Sequence, residues 1–457
     1  MTRSPRFIAG LALVLCCGAL YAQPPNIVFI VTDDLGYGDL GSYGHPVIQT
    51  PNLDALAASG ARFTRFYAPS ALCSPSRAAM LTGRHPYRTG IQSWIPEDSG
   101  IFLKQEEITL AEMLKEAGYN TALVGKWHLN ADLGSPDEPQ PTDQGFDYFY
   151  GHNAFQIPTN RNPTNLYRNK SPLGTQKGYT AALFADEALQ WLEAQNNKTP
   201  FFLMLSMAEP HTTIENPPEH NARYADFTQG KVIPIPSGLP EPPKKLLTPR
   251  GPGEYYANIT YMDEQLGRVL DKINEPAMRS NTVVVFVSDN GPVTSDWINW
   301  WEVNAYGSTG GFRGRKHTLY EGGLLVPALL RAPGVTEPGQ ELATPLIGTD
   351  LFTTLLAIAG LTPPSDRPID GRNLLPLFTG GTLGTPEFLW ALPVAIPYAW
   401  RSGDWKLLLN AQQEAIGLYH LATDPLEQFN LMDGEVSRVK SMVTRFKQQL
   451  AAIEADE

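Results

Sequence analysis

Cysteine is nearly missing from this chain: 457 residues hold three, which excludes a disulfide-built scaffold. Two of the three, Cys16 and Cys17, fall in an N-terminal stretch laid out as an export signal. Arg3 and Arg6 precede an apolar run from Phe7 to Leu20, and Leu20-Tyr21-Ala22 forms a cleavage site. The expected product is an exported protein, periplasmic or secreted, with residues 1–22 removed. The residues before Cys16 and Cys17 are not the small residue that precedes a lipidated cysteine, and an uncleaved anchor is the alternative. Cleavage leaves Cys73 as the one thiol. An unpaired thiol in an oxidising compartment is open to oxidation or mixed-disulfide capture, so its presence asks for a reason. A buried apolar cysteine is the plain explanation.

Net positive charge is also missing. Lys and Arg number 35 against 47 Asp and Glu, a formal charge of −12, and loss of the two cations Arg3 and Arg6 takes it to −14. A nucleic-acid partner is excluded, and a polyanionic substrate would need a local basic pocket. No second apolar run is long enough for a membrane span, so the mature chain is expected to carry none. There is no internal repeat and no low-complexity block. The 40 glycines and 40 prolines signal turns and not disorder, because charged residues make up only 18% and aromatics 10%. At about 435 residues the mature chain exceeds one compact domain.

What is present is a series of apolar runs, each ending in polar residues. Asn26 to Val31 and Thr282 to Val287 are β-branched and lack alternation, as strands buried on both faces do. The first ends in Asp33-Asp34 and the second in Ser288-Asp289-Asn290-Gly291. Ligands of an open α/β sheet bind at the carboxyl ends of its strands, so oxygen ligands from both ends could meet on one hard cation. An Asp-Asp turn with a capping role is the plain alternative. Thr50 to Ala57 reads as a helix stopped by Gly60, and Phe63 to Tyr67 as a short strand. Thr109 to Tyr119 has a capping-box start and a glycine stop. It leads to a strand at Thr121 to Val124 and then to Gly125-Lys126-Trp127-His128, where Lys126 and His128 share a face if the strand continues. Thr180 to Ala194 is a helix, Phe201 to Met207 a buried strand running into Glu209-Pro210-His211, and Glu254 to Ile273 a long helix. Residues 136–177 and 216–252 are Pro-rich insertions, which shape pockets or cover surface. Gly310 to Gly323 is a glycine-rich loop whose Arg313, Arg315, Lys316 and His317 are expected to make an anion site in this acidic chain, a plain solvated turn being the alternative.

Around Cys73 the predicted helix runs from Ser76 to Leu81, placing the thiol near an N-terminus and Arg77 one turn away. Leu324 to Leu330 is predicted to be a strand and Asp350 to Gly360 a helix. From about residue 380 the texture changes: Trp390 to Leu409 and Gly417 to Leu421 read as antiparallel strands and Val436 to Ile453 as a closing helix.

Cys73-Ser74-Pro75-Ser76-Arg77 followed by Leu81-Thr82-Gly83-Arg84 closely resembles the signature of the type I, formylglycine-dependent sulfatases. The likeness extends through Val31 to Asp39, Gly125-Lys126-Trp127-His128, Glu209-Pro210-His211, Ser288 to Gly291, Lys316 with Glu321-Gly322-Gly323, and a C-terminal Leu418-Tyr419-His420-Leu421. Gly36 to Gly44 and Gly360 to Gly371 resemble the branch containing N-acetylgalactosamine-6-sulfatases and arylsulfatase-like bacterial polysaccharide sulfatases. The resemblance implies an α/β, alkaline-phosphatase-like fold. A large, mostly parallel mixed sheet would be sandwiched by helices over residues 23–379, with a smaller α+β subdomain and antiparallel sheet over 380–457. It implies a sulfuric ester hydrolase acting on a sulfated carbohydrate, a galactose-type unit of a polysaccharide. Cys73 would be oxidised to Cα-formylglycine by a formylglycine-generating or other sulfatase-maturing enzyme.

By the same resemblance Asp33, Asp34, Asp289 and Asn290, with residue 73, hold one Ca²⁺, Mg²⁺ being the alternative. Arg77 and Lys126 orient residue 73, Lys126 and Lys316 bind sulfate oxygens, His211 with Lys316 donates the proton, and His128 acts as base. For the sugar, His152, Asn153, Arg161, Arg313 and Arg315 are candidates, with Trp300 and Trp301 as stacking surfaces. Two rivals are weighed against this. A phosphatase or phosphodiesterase of the same superfamily would carry Ser or Thr in place of Cys73, and a noncatalytic glycan-binding protein would tolerate an unconverted thiol.

Overall fold

A computed structural model describes residues 23–196, 198–227, 251–293 and 303–456. Its first strand, β1 (Asn26–Thr32), lies at the centre of a ten-stranded sheet. The others in chain order are β2 (Ala61–Phe63), β4 (Asn120–Lys126), β5 (Tyr148–His152), β6 (Tyr167–Arg168), β7 (Ser171–Pro172), β8 (Phe201–Ser206), β9 (Thr282–Ser288), β10 (Ala328–Arg331) and β11 (Gln340–Leu342). Across the sheet the order is β11-β2-β10-β9-β1-β8-β4-β5-β6-β7. The run β9-β1-β8-β4-β5 is parallel throughout, and β10 is antiparallel to both its neighbours.

The unbroken apolar reading of β1 has a direct cause. Ile27, Phe29 and Val31 face one core, with Ala78, Met80 and Leu81 of the helix Cys73–Thr82 and Phe352 of the helix Thr349–Ile358. Val28 and Ile30 face the other, with Phe184 of the helix Thr180–Glu193 and Ile259 and Met262 of the helix Pro252–Ile273. All five β1 side chains are fully buried. Each such burial contributes about 1.5–3 kcal/mol, so both faces demand apolar residues and no polar alternation survives.

A second sheet, antiparallel, is made of β13 (Glu387–Ala391), β14 (Tyr398–Ser402), β15 (Trp405–Leu409) and β16 (Ala415–His420), after a two-stranded pairing of β3 (Phe66–Tyr67) with β12 (Leu346–Ile347). One face packs Trp390 and Leu408 against Tyr67, Leu324 and Leu325. The other takes Met442, Phe446 and Leu450 from the helix Val436–Glu454. Trp390 Nε1 donates to the Ala68 carbonyl at 3.0 Å, fixing this sheet beside the chain that leads to Cys73.

Three sequence expectations need adjustment. The helix at the thiol begins at Cys73 and not at Ser76; Pro75 does not block its first turn, where amides have no helical acceptor in any case. The expected strand Phe63 to Tyr67 breaks at Thr64-Arg65, sending β2 and β3 into different sheets. The expected strand Leu324 to Leu330 begins with a helical turn, Glu321–Leu324, makes a single bridge from Leu325 to Tyr67, and joins the ten-stranded sheet only after Pro327, which has no N–H to give a ladder. Most of the 216–252 insertion, and Trp300 and Trp301, lie outside the described residues.

Candidate active site

Parallel pairing brings the polar strand ends to one edge. Thr32 of β1 is in register with Ser288 of β9, so Asp33 and Asp289, the next residues of each, emerge side by side. Ser206 closes β8, and Lys126 closes β4. Cys73 is the first residue of its helix, near amides that have no helical partner and favour an anion. Ser76 Oγ donates to the Ser70 carbonyl at 2.8 Å and Ser74 Oγ accepts from the Ile95 amide at 3.1 Å, pinning the loop on either side. Burial raises the Cys73 thiol above its ordinary value, against the opposing pull of Lys126 and Lys316. As a thiol it therefore stays protonated and is a poor nucleophile.

Cations and carboxylates interlock around it. Arg77, fully buried, reaches Asp289 Oδ2 with Nε at 2.9 Å and Nη2 at 2.7 Å. Its Nη1 donates to Ser206 Oγ at 2.6 Å and to the Lys126 carbonyl at 3.2 Å. Lys126 Nζ lies 2.5 Å from Asp33 Oδ2, and Lys316 Nζ 2.5 Å from Asp34 Oδ1. Asn290 Nδ2 donates to Asp34 Oδ1 at 2.7 Å, and the Asp34 amide donates to Asp289 Oδ1 at 3.2 Å. Burial alone would raise the Asp33 carboxyl, but Lys126, His211, Arg77 and Lys316 outweigh it and hold it well below the carboxylate range. Asp289 is pushed up to about 6 by burial and by Asp33. The ammonium of Lys316 is held protonated: burial opposes the charge, and Asp34 more than restores it.

The donor set fits a hard cation. Ligand atoms of Asp33, Asp34 and His211 lie within 4.8 Å of one another. Asp33 Oδ1 and Asn290 Oδ1 are buried oxygens with no hydrogen-bond partner among the described residues. Unpaired buried oxygens cost on the order of 1–3 kcal/mol each, and three carboxylates with an amide oxygen are the ligand chemistry of calcium.

Two histidines flank the cluster in defined tautomers. His128, in left-handed backbone at φ 57°, contacts the Ile95 carbonyl with Nε2 at 3.0 Å. A carbonyl only accepts, so Nε2 carries the proton. Nδ1 is buried and without a partner among the described residues, which leaves it a free lone pair. Burial, reinforced by Lys126, keeps the ring neutral. His211 donates from Nδ1 to the Thr212 carbonyl at 2.8 Å and points Nε2 at Asp34 Oδ2, 3.7 Å away. Burial lowers its pKa, and Asp33 and Asp34 draw it back up.

A Sulfatase family model matches residues 25–361. The chain belongs to the sulfatase family. It is 36% identical to N-acetylgalactosamine-6-sulfatase of Homo sapiens, covering 80% of this chain and 68% of that one. It is 34% identical to arylsulfatase A of Homo sapiens, over 96% and 89%. A solved structure of Ps i-CgsB in complex with k-i-k-neocarrahexaose superposes with a TM-score of 0.77 at 27% identity, covering 93% of each chain. The protein is thus a sulfuric ester hydrolase with an alkaline-phosphatase-like fold. Among the described residues of this sulfatase, no helix is long and apolar enough to cross a membrane.

The sulfatase's sugar-binding candidates divide. Asn153 lines a cavity. His152 does not face solvent: it is fully buried, stacked on Phe184 at 5.8 Å, with its pKa pushed down to about 3 by burial. It packs behind Lys126 where the sequence reading placed it against the sugar. Arg315 gives Nη1 and Nη2 to the carbonyls of Val293 and Gly307, and so braces a loop. Arg313 lies over the Tyr320 ring and donates to the Glu427 carbonyl, and Arg161 pairs with Glu215 at the surface. Lys126 and His128 do not extend one strand face, because β4 ends at Lys126 and the chain turns at His128. Sequence reasoning missed Ser206, whose one signal was its place at the end of a buried strand, and Ile95, which acts through its carbonyl and left no side-chain signal.

Proposed function

We propose that this sulfatase is exported and removes sulfate from a sulfated carbohydrate, a galactose-type unit of a polysaccharide. Residue 73 works as formylglycine after oxidation by a maturing enzyme. One Ca²⁺ is held by Asp33, Asp34, Asp289 and Asn290 together with residue 73. The observation that carries the reading is a buried Cys73 at a helix start among Lys126, Lys316, Asp33 and Asp289. A thiol there is inert, whereas an aldehyde hydrate would have every partner it needs.

When in place, the hydrate supplies a nucleophilic hydroxyl and the ion a Lewis acid for the sulfuryl oxygens. The chain's own residues do the rest. Lys126 and Lys316 bind sulfate oxygens, so charge growing on the sulfuryl group meets fixed cations in a dry site. Arg77 and Lys126 orient residue 73, Arg77 being locked by Asp289 and Ser206. An alcohol leaving group of high pKa must be protonated as its S–O bond breaks; His211 in its imidazolium form, which Asp33 and Asp34 favour, delivers that proton from Nε2, with Lys316, and is left neutral with its proton on Nδ1. His128 Nδ1 takes a proton from residue 73 in the step that frees sulfate. The galactose-type substrate is supported by the names of the relatives, an N-acetylgalactosamine-6-sulfatase and a structure holding a neocarrahexaose.

The test is sulfate release from sulfated mono- and oligosaccharides differing in sugar and position, with phosphate esters as controls; turnover of phosphate esters alone would overturn the reading. Intact mass of the mature protein reports the oxidation, which replaces SH₂ by O and lowers the mass by about 18 Da.

A further inference from the structure

A cavity of about 190 Å³ is lined by three carboxylates, Glu97, Asp98 and Asp132, together with Asn153, Ile157 and Tyr167, and by no basic residue. The carboxylates have no ion-pair partner among the described residues, and they are not a metal-ligand group: the close-set ligand atoms of the described residues are those of Asp33, Asp34 and His211, outside this cavity. The cavity walls continue the catalytic elements. Asp132 follows His128 by four residues. Glu97 follows Ile95, whose carbonyl holds His128, by two. Asn153 follows His152, the register partner of Lys126. Four extended residues span at most about 14 Å, so each wall is within reach of an oligosaccharide whose sulfate sits at residue 73.

Two further features point to a sugar. Asn153, 8% exposed, gives Nδ2 to the carbonyls of Asn130 at 2.8 Å and Ala131 at 3.2 Å. This fixes its amide orientation and leaves Oδ1, a buried oxygen, an acceptor without a partner among the described residues. Large apolar side chains also stand exposed around the same segments: Trp94 at 40%, next to Ile95, with Phe155 and Ile157 at 39% each. The Phe155 carbonyl accepts from Asn165 Nδ2 at 2.8 Å, and Asn165 lines the cavity. Acceptors for hydroxyl groups beside exposed aromatic faces match a sugar's polar rim and its C–H faces. Three unpaired carboxylates repel an anion.

Resting on the sulfate-ester reading above, we propose that this cavity is a subsite for an uncharged, hydroxyl-rich sugar adjoining the sulfated unit. Glu97, Asp98 and Asp132 accept from its hydroxyls, and the same charges exclude a uronate or a second sulfate. The sulfatase therefore acts on sulfate esters with neutral neighbours.

The experiment uses the mature enzyme and two disaccharides sulfated at the same hydroxyl of the same terminal hexose. One carries neutral galactose beside it, the other glucuronate, and an aryl sulfate serves as a third substrate. The neutral neighbour is expected to give at least a tenfold higher kcat/KM. The preference should shrink toward unity in the triple variant Glu97→Gln, Asp98→Asn, Asp132→Asn, and shrink in wild-type enzyme as salt is raised, a measurement that needs no variant. Equal rates, a preference for glucuronate, or a preference insensitive to salt would overturn the subsite while leaving the sulfatase reading intact, as would aryl sulfate turnover with neither disaccharide cleaved. No turnover of any sulfate ester would bring down the proposed function and this inference with it.

Discussion

Two buried charge clusters in this protein use the same residue types to opposite ends. In the first, Arg77, Lys126 and Lys316 face Asp289, Asp33 and Asp34, yet Asp33 Oδ1, Asn290 Oδ1 and His128 Nδ1 are left without hydrogen-bond partners among the described residues. In the second, Lys406 of β15 sits 2.8 Å from Glu321 and 3.0 Å from Glu427. Tyr67 donates to Glu321 at 2.6 Å, Arg401 of β14 donates to Tyr67, and Glu427 accepts from the Glu321 amide at 2.7 Å. The second cluster pairs both of its carboxylates with Lys406, leaving Arg401 Nη2 without a hydrogen bond among the described residues, and ties three segments together: the chain before Cys73, the loop after Lys316 and the C-terminal sheet. Satisfied networks rigidify, and a buried acceptor without a partner is able to take a ligand, an ion or a water. Charge burial alone therefore does not mark a site; leftover acceptors gathered at the strand ends beside Cys73 do.

The comparison can be broken at several points. The largest effect is expected for Cys73→Ser, which removes the proposed route to an aldehyde. Multiple-turnover sulfate release should fall on the order of 10⁴-fold or more, with the melting temperature nearly unchanged; normal turnover would sink the mechanism. Next, Lys316→Met should lower kcat/KM roughly 10²–10³-fold. Lys406→Met should instead destabilise the fold by about 3–5 kcal/mol in denaturant titration, because Glu321 and Glu427 are left buried without their cation. If both lysines lowered activity and stability in equal measure, the division between the clusters would fail.

A pH effect belongs to the closed side of the molecule. His85 accepts the Tyr87 amide on Nδ1 and gives Nε2 to the Leu389 carbonyl of the C-terminal sheet, so it is neutral where it sits. Burial pushes its pKa down to about 4. The unfolded chain takes up a proton near pH 6.5 and the folded one only near 4. Stability is thus present in full above 6.5 and is lost as pH falls through that window, by about 3 kcal/mol at its end. Unfolding titrations at pH 7 and pH 4.5, with His85→Gln flattening part of the difference, check this.

The smallest expected effect is that of the ion. Calcium at 100 times its Kd should add about 2.7 kcal/mol to stability, so chelation should lower the melting temperature of wild type and of Lys406→Met alike. A melting temperature indifferent to chelation would remove the ion from the open cluster.

Much of this was legible in the chain itself. Runs such as Asn26 to Val31 and Thr282 to Val287 announce parallel strands buried on both faces, because an environment apolar on two sides leaves no room for alternation. The motif at Cys73 and the acids after the two strands named the sulfatase family before any coordinate. Side-chain fate was less legible. Nothing local separates His152, which stacks on Phe184, from His128, whose Nε2 is held by the Ile95 carbonyl, or the loop-bracing Arg315 from the Asp34-paired Lys316 one residue on.

Sequence alone determined the residue types, the order of the elements and the family, since those follow from local periodicity and from motifs read along one dimension. Only the tertiary structure decided which charges close on each other and which stay open. That is settled by register between strands, as when Thr32 meets Ser288 more than 250 residues away, and by burial, which sets the cost of every hydrogen bond left unmade.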